Sequence, residues 1–248
     1  MRLVRYADRR DLREIRFETL AGRTFPEYLH HNVPGNRYWG RLYEDHPDFQ
    51  LALLDGGELV AELHSVPTAW DGSQEDRPAG WDEAFLRAFE GGRQADVLCA
   101  LAISVRPDRQ GDRLSSRMLD AMREAAGSHG LRELIAPVRP TRKSLYPLVP
   151  IERYVEWRRP DGSHFDPWIR LHERIGGTIL APAPESMVME APASDWEEWT
   201  GMAFPEDGDY VFPGALAPLY VRDGIGRHVE PNVWLRHAPL GGEANEAA

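Results

Sequence analysis

Three groups of residues have types and spacings that suit chemistry. In "ISVRPDRQGDRLSSRMLDAM", Ile103 to Met122, an apolar strand breaks at Arg-Pro-Asp, passes Gly111 and enters a helix. A helix start leaves backbone N–H groups without intrahelical partners and has the positive end of the dipole behind them, which suits a phosphate or pyrophosphate. Every strand-to-helix junction has this property, so the physics yields an anion site without naming the anion. Glu62 and His64 lie two apart on a strand-like run and share one side. Facing a cleft, either could take a proton from an amine, directly or through water; facing outward, they are a solvated pair. Tyr146, in "SLYPLVP", could line a pocket or donate a proton, and Arg139 and Arg142 could bind a carboxylate or phosphate or simply lie at the surface.

The elements that must position these groups follow from periodicity. "DRRDLREIRFETL" spaces Leu12, Ile15, Phe17 and Leu20 as a helix. The aromatic stretch after it, broken at Pro34 and Gly35, reads as two short helices. Strands over about 49 to 54 and 59 to 66 flank Asp55-Gly56-Gly57, a hairpin signal. "WDEAFLRAFEGG" is a short helix, and Asp96 to Val105 is a strand too apolar for one wet face, hence central. A helix from Gly111 to about Gly127 carries Leu114, Met118, Ala121, Met122 and Ala125 on one stripe, and "LRELIAPVRP" returns to strand, closing a crossover unit. A long loop of about 141–165 precedes a helix capped by Asp166 with Pro167 at its first position. Strand-like segments fill about 181–240, and 241–248 reads as a disordered tail.

Composition narrows the function classes. The 248 residues suit one elaborated domain, and no stretch approaches the ~18 apolar residues of a membrane span. The start, "MRLVRYADRRDLREI", lacks a secretory signal, so a cytoplasmic protein is expected. One cysteine, Cys99, excludes an internal disulfide, and no zinc signature is present, so no metal is expected. A net charge of −11 disfavours broad nucleic-acid binding. Trp157, Trp168, Trp196, Trp199 and Trp234 serve either an aromatic-lined pocket or core and lid packing.

"VRPDRQGDRLSSRML" resembles the acyl-CoA segment of the GCN5-related N-acetyltransferase (GNAT) superfamily, Val-x-Pro-x-x-Arg/Gln-Gly-x-Gly-x-Gly/Ala, at Val105, Pro107, Gln110 and Gly111. Arg113 and Ser115 stand where the pattern has small residues; Arg113 either offers its guanidinium to a CoA phosphate or narrows the groove. "RLHERIGGTIL" is similar to the family's later helix, with Arg170, Leu171, Ile175 and Gly176 matching and His172 at the position of a tyrosine that protonates the leaving thiolate. The resemblance covers about residues 1 to 180. In overall flavour the chain is similar to uncharacterised actinobacterial-type members, and more distantly to acyltransferase-like domains of polyketide loading modules.

The resemblance implies an α/β fold of the GNAT acyl-CoA N-acyltransferase type: a mixed central sheet flanked by helices, in one domain over 1–240, with an insertion and a C-terminal β extension. It implies acetyl-CoA or another acyl-CoA as co-substrate, held by Ile103, Val105, Gln110, Gly111, Asp112, Arg113, Leu114 and Ser115. The acceptor is expected to be a small-molecule amine, with direct transfer and His172, Tyr146 and Glu62 as catalytic candidates. A histidine with an ordinary pKa of ~6.5 suits an acid near neutrality. The alternatives are a malonyl-CoA decarboxylase or S-acyltransferase-like biosynthetic enzyme, a degenerate non-catalytic binding protein, and, less favoured by the charge, tRNA-dependent transfer. A homodimer is compatible with the sequence.

Overall fold

The computed structural model describes residues 1–241. In chain order the regular elements are β1 (Arg2–Arg5), α1 (Leu12–Arg16), α2 (Gly22–Thr24), α3 (Val33–Asp45), β2 (Gln50–Asp55), β3 (Glu58–Thr68), α4 (Trp81–Glu90) and β4 (Val97–Val105). They continue as α5 (Leu114–Ser128), β5 (Leu134–Val138), α6 (Ile151–Tyr154), α7 (Pro167–Arg174), β6 (Thr178–Pro192), α8 (Ala193–Thr200), β7 (Gly208–Tyr210), β8 (Leu219–Arg222) and β9 (Ile225–His237). Among the described residues, no helix is long and apolar enough to cross a membrane.

Local chemistry explains several boundaries. Gly56 and Gly57 both have positive φ, 58° and 95°, the requirement of the tight turn that joins β2 to β3. Asn32 caps α3 by accepting from Gly35 N at 2.8 Å, and Asp166 caps α7 through Trp168 N and Ile169 N. Between α1 and α2 the backbone widens into a π-helical turn, Phe17–Ala21, where a regular helix was expected. β1 was not expected; its short run pairs with β2 from the edge.

The strands form one mixed sheet in the order β1-β2-β3-β4-β5-β9-β8-β7, with β6 also on β9. α5 crosses one face and buries Leu114, Met118, Met122 and Ala126 against Leu53, Leu63 and Leu98. α3 and α4 cover the other face through Tyr38, Leu42, Trp81 and Phe85. The segment expected as a C-terminal extension is β-rich, but β9 lies inside the sheet, antiparallel to β5 along its whole length. The expected long loop instead holds α6 and a small bridge between Arg158 and His164. Of the expected tail, 242–248 lie outside the described residues.

The sheet's decisive feature lies at its middle. β4 and β5 run parallel but pair only at Leu98 with Leu134 and Cys99 with Ile135. Beyond that they separate into a wedge, and Ala100, Leu101, Ala102 and Ile103 are only partly buried although their strand is central. On its β3 side β4 stays paired, with one irregularity: Leu101 bulges out between Ala100 and Ala102.

Candidate active site

β4 leaves the wedge at Val105 and turns through Pro107–Arg109 into α5. Ile103 and Val105 face the α5 side, and the turn from Gln110 to Asp112 is exposed. Gly111 has φ 97° and Arg113 φ 59°, both left-handed. Arg113 thus keeps, at a cost of about 1–2 kcal/mol, the conformation a glycine would adopt freely. Its side chain is exposed and makes no hydrogen bond or ion pair among the described residues. Arg109 staples the turn through Asp112 at 2.8 Å and Asp55 at 3.0 Å. No acidic residue lies in the first turn of α5, which leaves its N–H groups open to an anion.

Two buried polar clusters stand on the strands that flank the wedge. On β3, Glu62 accepts from Arg16 at 2.8 and 2.7 Å and from the Tyr6 hydroxyl at 2.6 Å. Burial opposes the charge, but the two-point contact with Arg16 outweighs it and holds the carboxyl below its ordinary value. The expectation of Glu62 as a base is corrected accordingly: its oxygens are engaged and its basicity is low. The solvated alternative fails too, since Glu62 and His64 are fully buried. His64 is pushed below its ordinary value by burial. Gln50 donates to His46 O and Ser65 O, so its Oε1 accepts from His64 Nδ1 at 3.0 Å. The bare Nε2 of His64 then accepts from Arg16 at 3.2 Å.

On β9, Glu230 meets Arg139 at 2.5 Å, His228 at 2.7 Å and the Tyr28 hydroxyl at 3.2 Å. Arg139 also donates to Gly214 O at 2.6 Å, and Lys143, buried beside it, to Leu216 O at 2.6 Å. Burial lowers Lys143 to about 8. Arg139 is therefore part of a built wall, while Arg142 is exposed, its backbone N–H held by Asp166 at 2.8 Å. Nothing in the order of residues near Arg139 announces a partner 91 positions away.

His172 lies on α7, buried against Trp168, with its Nδ1 2.9 Å from Nε2 of His237. His237 is in register with Leu134, where β4 and β5 are still paired, so this pair sits at the closed end of the wedge. Burial, then the neighbouring His237, push His172 down to about 3; burial, then Arg123, push His237 to about 4. This lies well below the ordinary value of ~6.5 with which His172 was expected to serve as an acid. Its Nε2 and the Nδ1 of His237 are both buried without hydrogen-bond partners among the described residues. Tyr146 packs in an aromatic group with Tyr154, Trp157 and Phe165. Cys99 is buried, and burial pushes its thiol up, as suits an inert core group. Trp196 and Trp234 are core residues.

The comparisons bear directly on this arrangement. No family model matches the chain. The arginine N-acetyltransferase avaD of Aspergillus versicolor is 31% identical to it, over 86% of this chain and 84% of avaD. The chain belongs to the GNAT superfamily. Two solved structures carry the same architecture. The loading GNATL domain of CurA from Lyngbya majuscula has a TM-score of 0.61 at 19% identity, covering 96% of each chain. The GphF GNAT-like decarboxylase in complex with isobutyryl-CoA has a TM-score of 0.57 at 18% identity, covering 96% of this chain and 99% of that one. At those identities the likeness concerns the GNAT fold alone. As a GNAT protein it is an acetyltransferase in class.

Proposed function

We propose that the enzyme transfers an acetyl group from acetyl-CoA directly to a primary amine of a small molecule, of the arginine type named for avaD. The observation that carries this reading is the wedge: β4 and β5 part after two residue pairs, and the central strand leads through Gly111 and Arg113 into an unblocked helix start. Backbone N–H groups from Gln110 to Ser115 hold the pyrophosphate, with Leu114 buried beneath as anchor. The pantetheine lies along Ile103 and Val105, and the thioester reaches the bulge at Leu101.

Chemistry here is mostly positioning. The amine enters from the face covered by α1 to α4 and attacks the thioester carbon; the carbon–sulfur bond breaks and CoA leaves as thiolate. Because Glu62 is engaged, the amine's proton leaves to water in the wedge. The departing thiolate takes up a proton from water, and a neutral His172, if His237 donates from Nε2 to its Nδ1, offers the sulfur a hydrogen bond from Nε2 without giving the proton up. Tyr146 packs in the aromatic group beside Ala136 and Val138, on the face of the sheet opposite the amine's entry.

Calorimetry with acetyl-CoA and desulfo-CoA, followed by thiol release with free arginine as acceptor, tests the reading. Binding of both and amine-dependent release are expected. Absence of binding would overturn it in favour of a degenerate binding protein, and loss of carbon dioxide from malonyl-CoA without amine transfer would favour decarboxylation.

A further inference from the structure

Where β5 parts from β4, a side chain takes over hydrogen bonding that the sheet gives up. Glu133 O accepts from Leu98 N at 2.9 Å, so the peptide groups of Glu133, and by alternation those of Ile135 and Pro137, are turned toward β4. At Pro137 the pairing with β4 has ended, and its carbonyl accepts from Asn232 Nδ2 on β9 at 3.2 Å. That carbonyl can only accept, which fixes the orientation of the Asn232 amide. Nδ2 also donates to Ser186 Oγ at 2.9 Å. Both amide hydrogens are thus spent, and Asn232 Oδ1 is buried without a hydrogen-bond partner among the described residues.

The surroundings hold this amide at the edge of the wedge. Ser186 Oγ accepts from the backbone N–H of Trp81 at 2.9 Å, and the Trp81 indole donates to Leu101 O on β4 at 3.0 Å. A Cβ at Gly80 would fall 2.0 Å from the Cα of Ser186, so only glycine lets the two backbones approach. On its own strand Asn232 shares a face with Glu230 and Trp234, the face that α3 and α4 cover. Glu230 is already engaged by Arg139, His228 and Tyr28, and Trp234 Nε1 by Pro78 O at 3.0 Å. Asn232 itself is 2% exposed. A buried oxygen without a donor forfeits its hydration and gains nothing in return, so such groups are few in native proteins.

We propose that Asn232 binds the acceptor: its Oδ1 takes a hydrogen bond from the attacking primary amine and aims the nitrogen across the wedge at the thioester beside Leu101. This inference rests on the acyl-CoA reading above. The amine enters from the face on which Asn232 lies, whereas the pantetheine follows Ile103 and Val105 on the α5 side. An amide oxygen suits a nucleophile that must be neutral to attack. A carboxylate in this place would hold the ammonium form, but an uncharged oxygen orients an N–H without retaining the extra proton. The neutral amine carries two N–H groups. As its lone pair forms the carbon–nitrogen bond and the carbon–sulfur bond breaks, one proton leaves to water and the other N–H stays on Oδ1, so the contact lasts from substrate to product amide.

Asparagine labelled with carbon-13 at Cγ gives a sparse probe, since the chain has four asparagines. The Asn232 signal is assigned by its loss in Asn232→Ala. In wild-type protein saturated with desulfo-CoA, adding arginine is expected to move that signal downfield as Oδ1 gains a donor, and desulfo-CoA alone is expected to leave it in place. Asn232→Ala should raise the KM for arginine about tenfold or more and keep the Kd for acetyl-CoA within about twofold. Ser186→Ala, which removes one anchor of the amide and keeps its oxygen, should raise that KM less. Movement with desulfo-CoA alone, no movement with arginine, or equal effects of the two substitutions overturns the proposal. If Asn232→Ala is not recovered folded, Ser186→Ala assigns the signal by displacing it, and the wild-type titration decides. Wild-type protein that binds no acetyl-CoA, or releases no thiol with arginine, defeats the acyl-CoA reading itself; normal release with an unmoved signal defeats only the role of Asn232.

Discussion

The clusters on β3 and β9 are built from the same four residue types and work differently. Each has a glutamate on a strand flanking the wedge, a histidine two residues away, an arginine and a tyrosine hydroxyl. At β3 the arginine comes from α1, a short surface helix, and the histidine is neutral with a bare nitrogen turned to the guanidinium. At β9 the arginine belongs to the end of β5, a lysine lies beside it, and both ring nitrogens of His228 face acceptors, Pro218 O and Glu230. One carboxylate therefore answers a single cation, and the other lies among two. The lesson is that matching residue lists do not define matching sites; what counts is how many charges each carboxylate balances and which elements carry them.

The largest expected effect breaks the symmetry outright. Glu230→Gln leaves Arg139 and Lys143 without a counter-charge in a buried wall and should cost about 3–5 kcal/mol. Glu62→Gln should cost less, about 1–3 kcal/mol, because it strands one cation rather than two. Urea titrations of both variants check the order, and equal losses would dissolve the distinction.

Acidification probes the β3 cluster next. His64 has its folded value depressed, so the unfolded chain takes up a proton first as pH falls below ~6.5, and stability drains from there downward. Glu62 adds to this: its contribution is full above the ordinary carboxylate value and is lost as pH falls toward about 2. His64→Gln should flatten the slope of unfolding free energy between pH 6 and 4 by up to ~1.4 kcal/mol per pH unit. An unaltered slope would mean that the ring is not held neutral.

The tyrosines extend the comparison, and Tyr28 carries its smallest effect. Tyr6 makes one short bond to a charged oxygen, and Tyr6→Phe should cost about 1.5–3 kcal/mol. The Tyr28 hydroxyl sits 3.2 Å from Glu230 while accepting from Arg139 at 2.9 Å. Tyr28→Phe should cost about 1 kcal/mol, visible as a shift of a few degrees in Tm.

What could be read from the chain itself divides along similar lines. The crossover from β4 through α5 to β5 was legible because its signals are local: an apolar run, a glycine, a helical stripe. Glu62 and His64 were legible as sharing a face, since strand geometry alone dictates that. Their burial was not, because it depends on Arg16, 46 positions earlier. The insertion of β9 beside β5 and the pairing of His172 with a residue 65 positions later are likewise long-range.

The brevity of the β4–β5 pairing also bears on how the molecule opens. A sheet usually frays from its rims, but here the ladder is thinnest at its centre, where two residue pairs join the strands. The amides of Ala100 to Ile103 that face the gap should exchange with solvent sooner than those of β3 beside them. Whatever fills the gap would close that seam, so slowed exchange in the middle of the sheet would report occupancy without any assay of turnover.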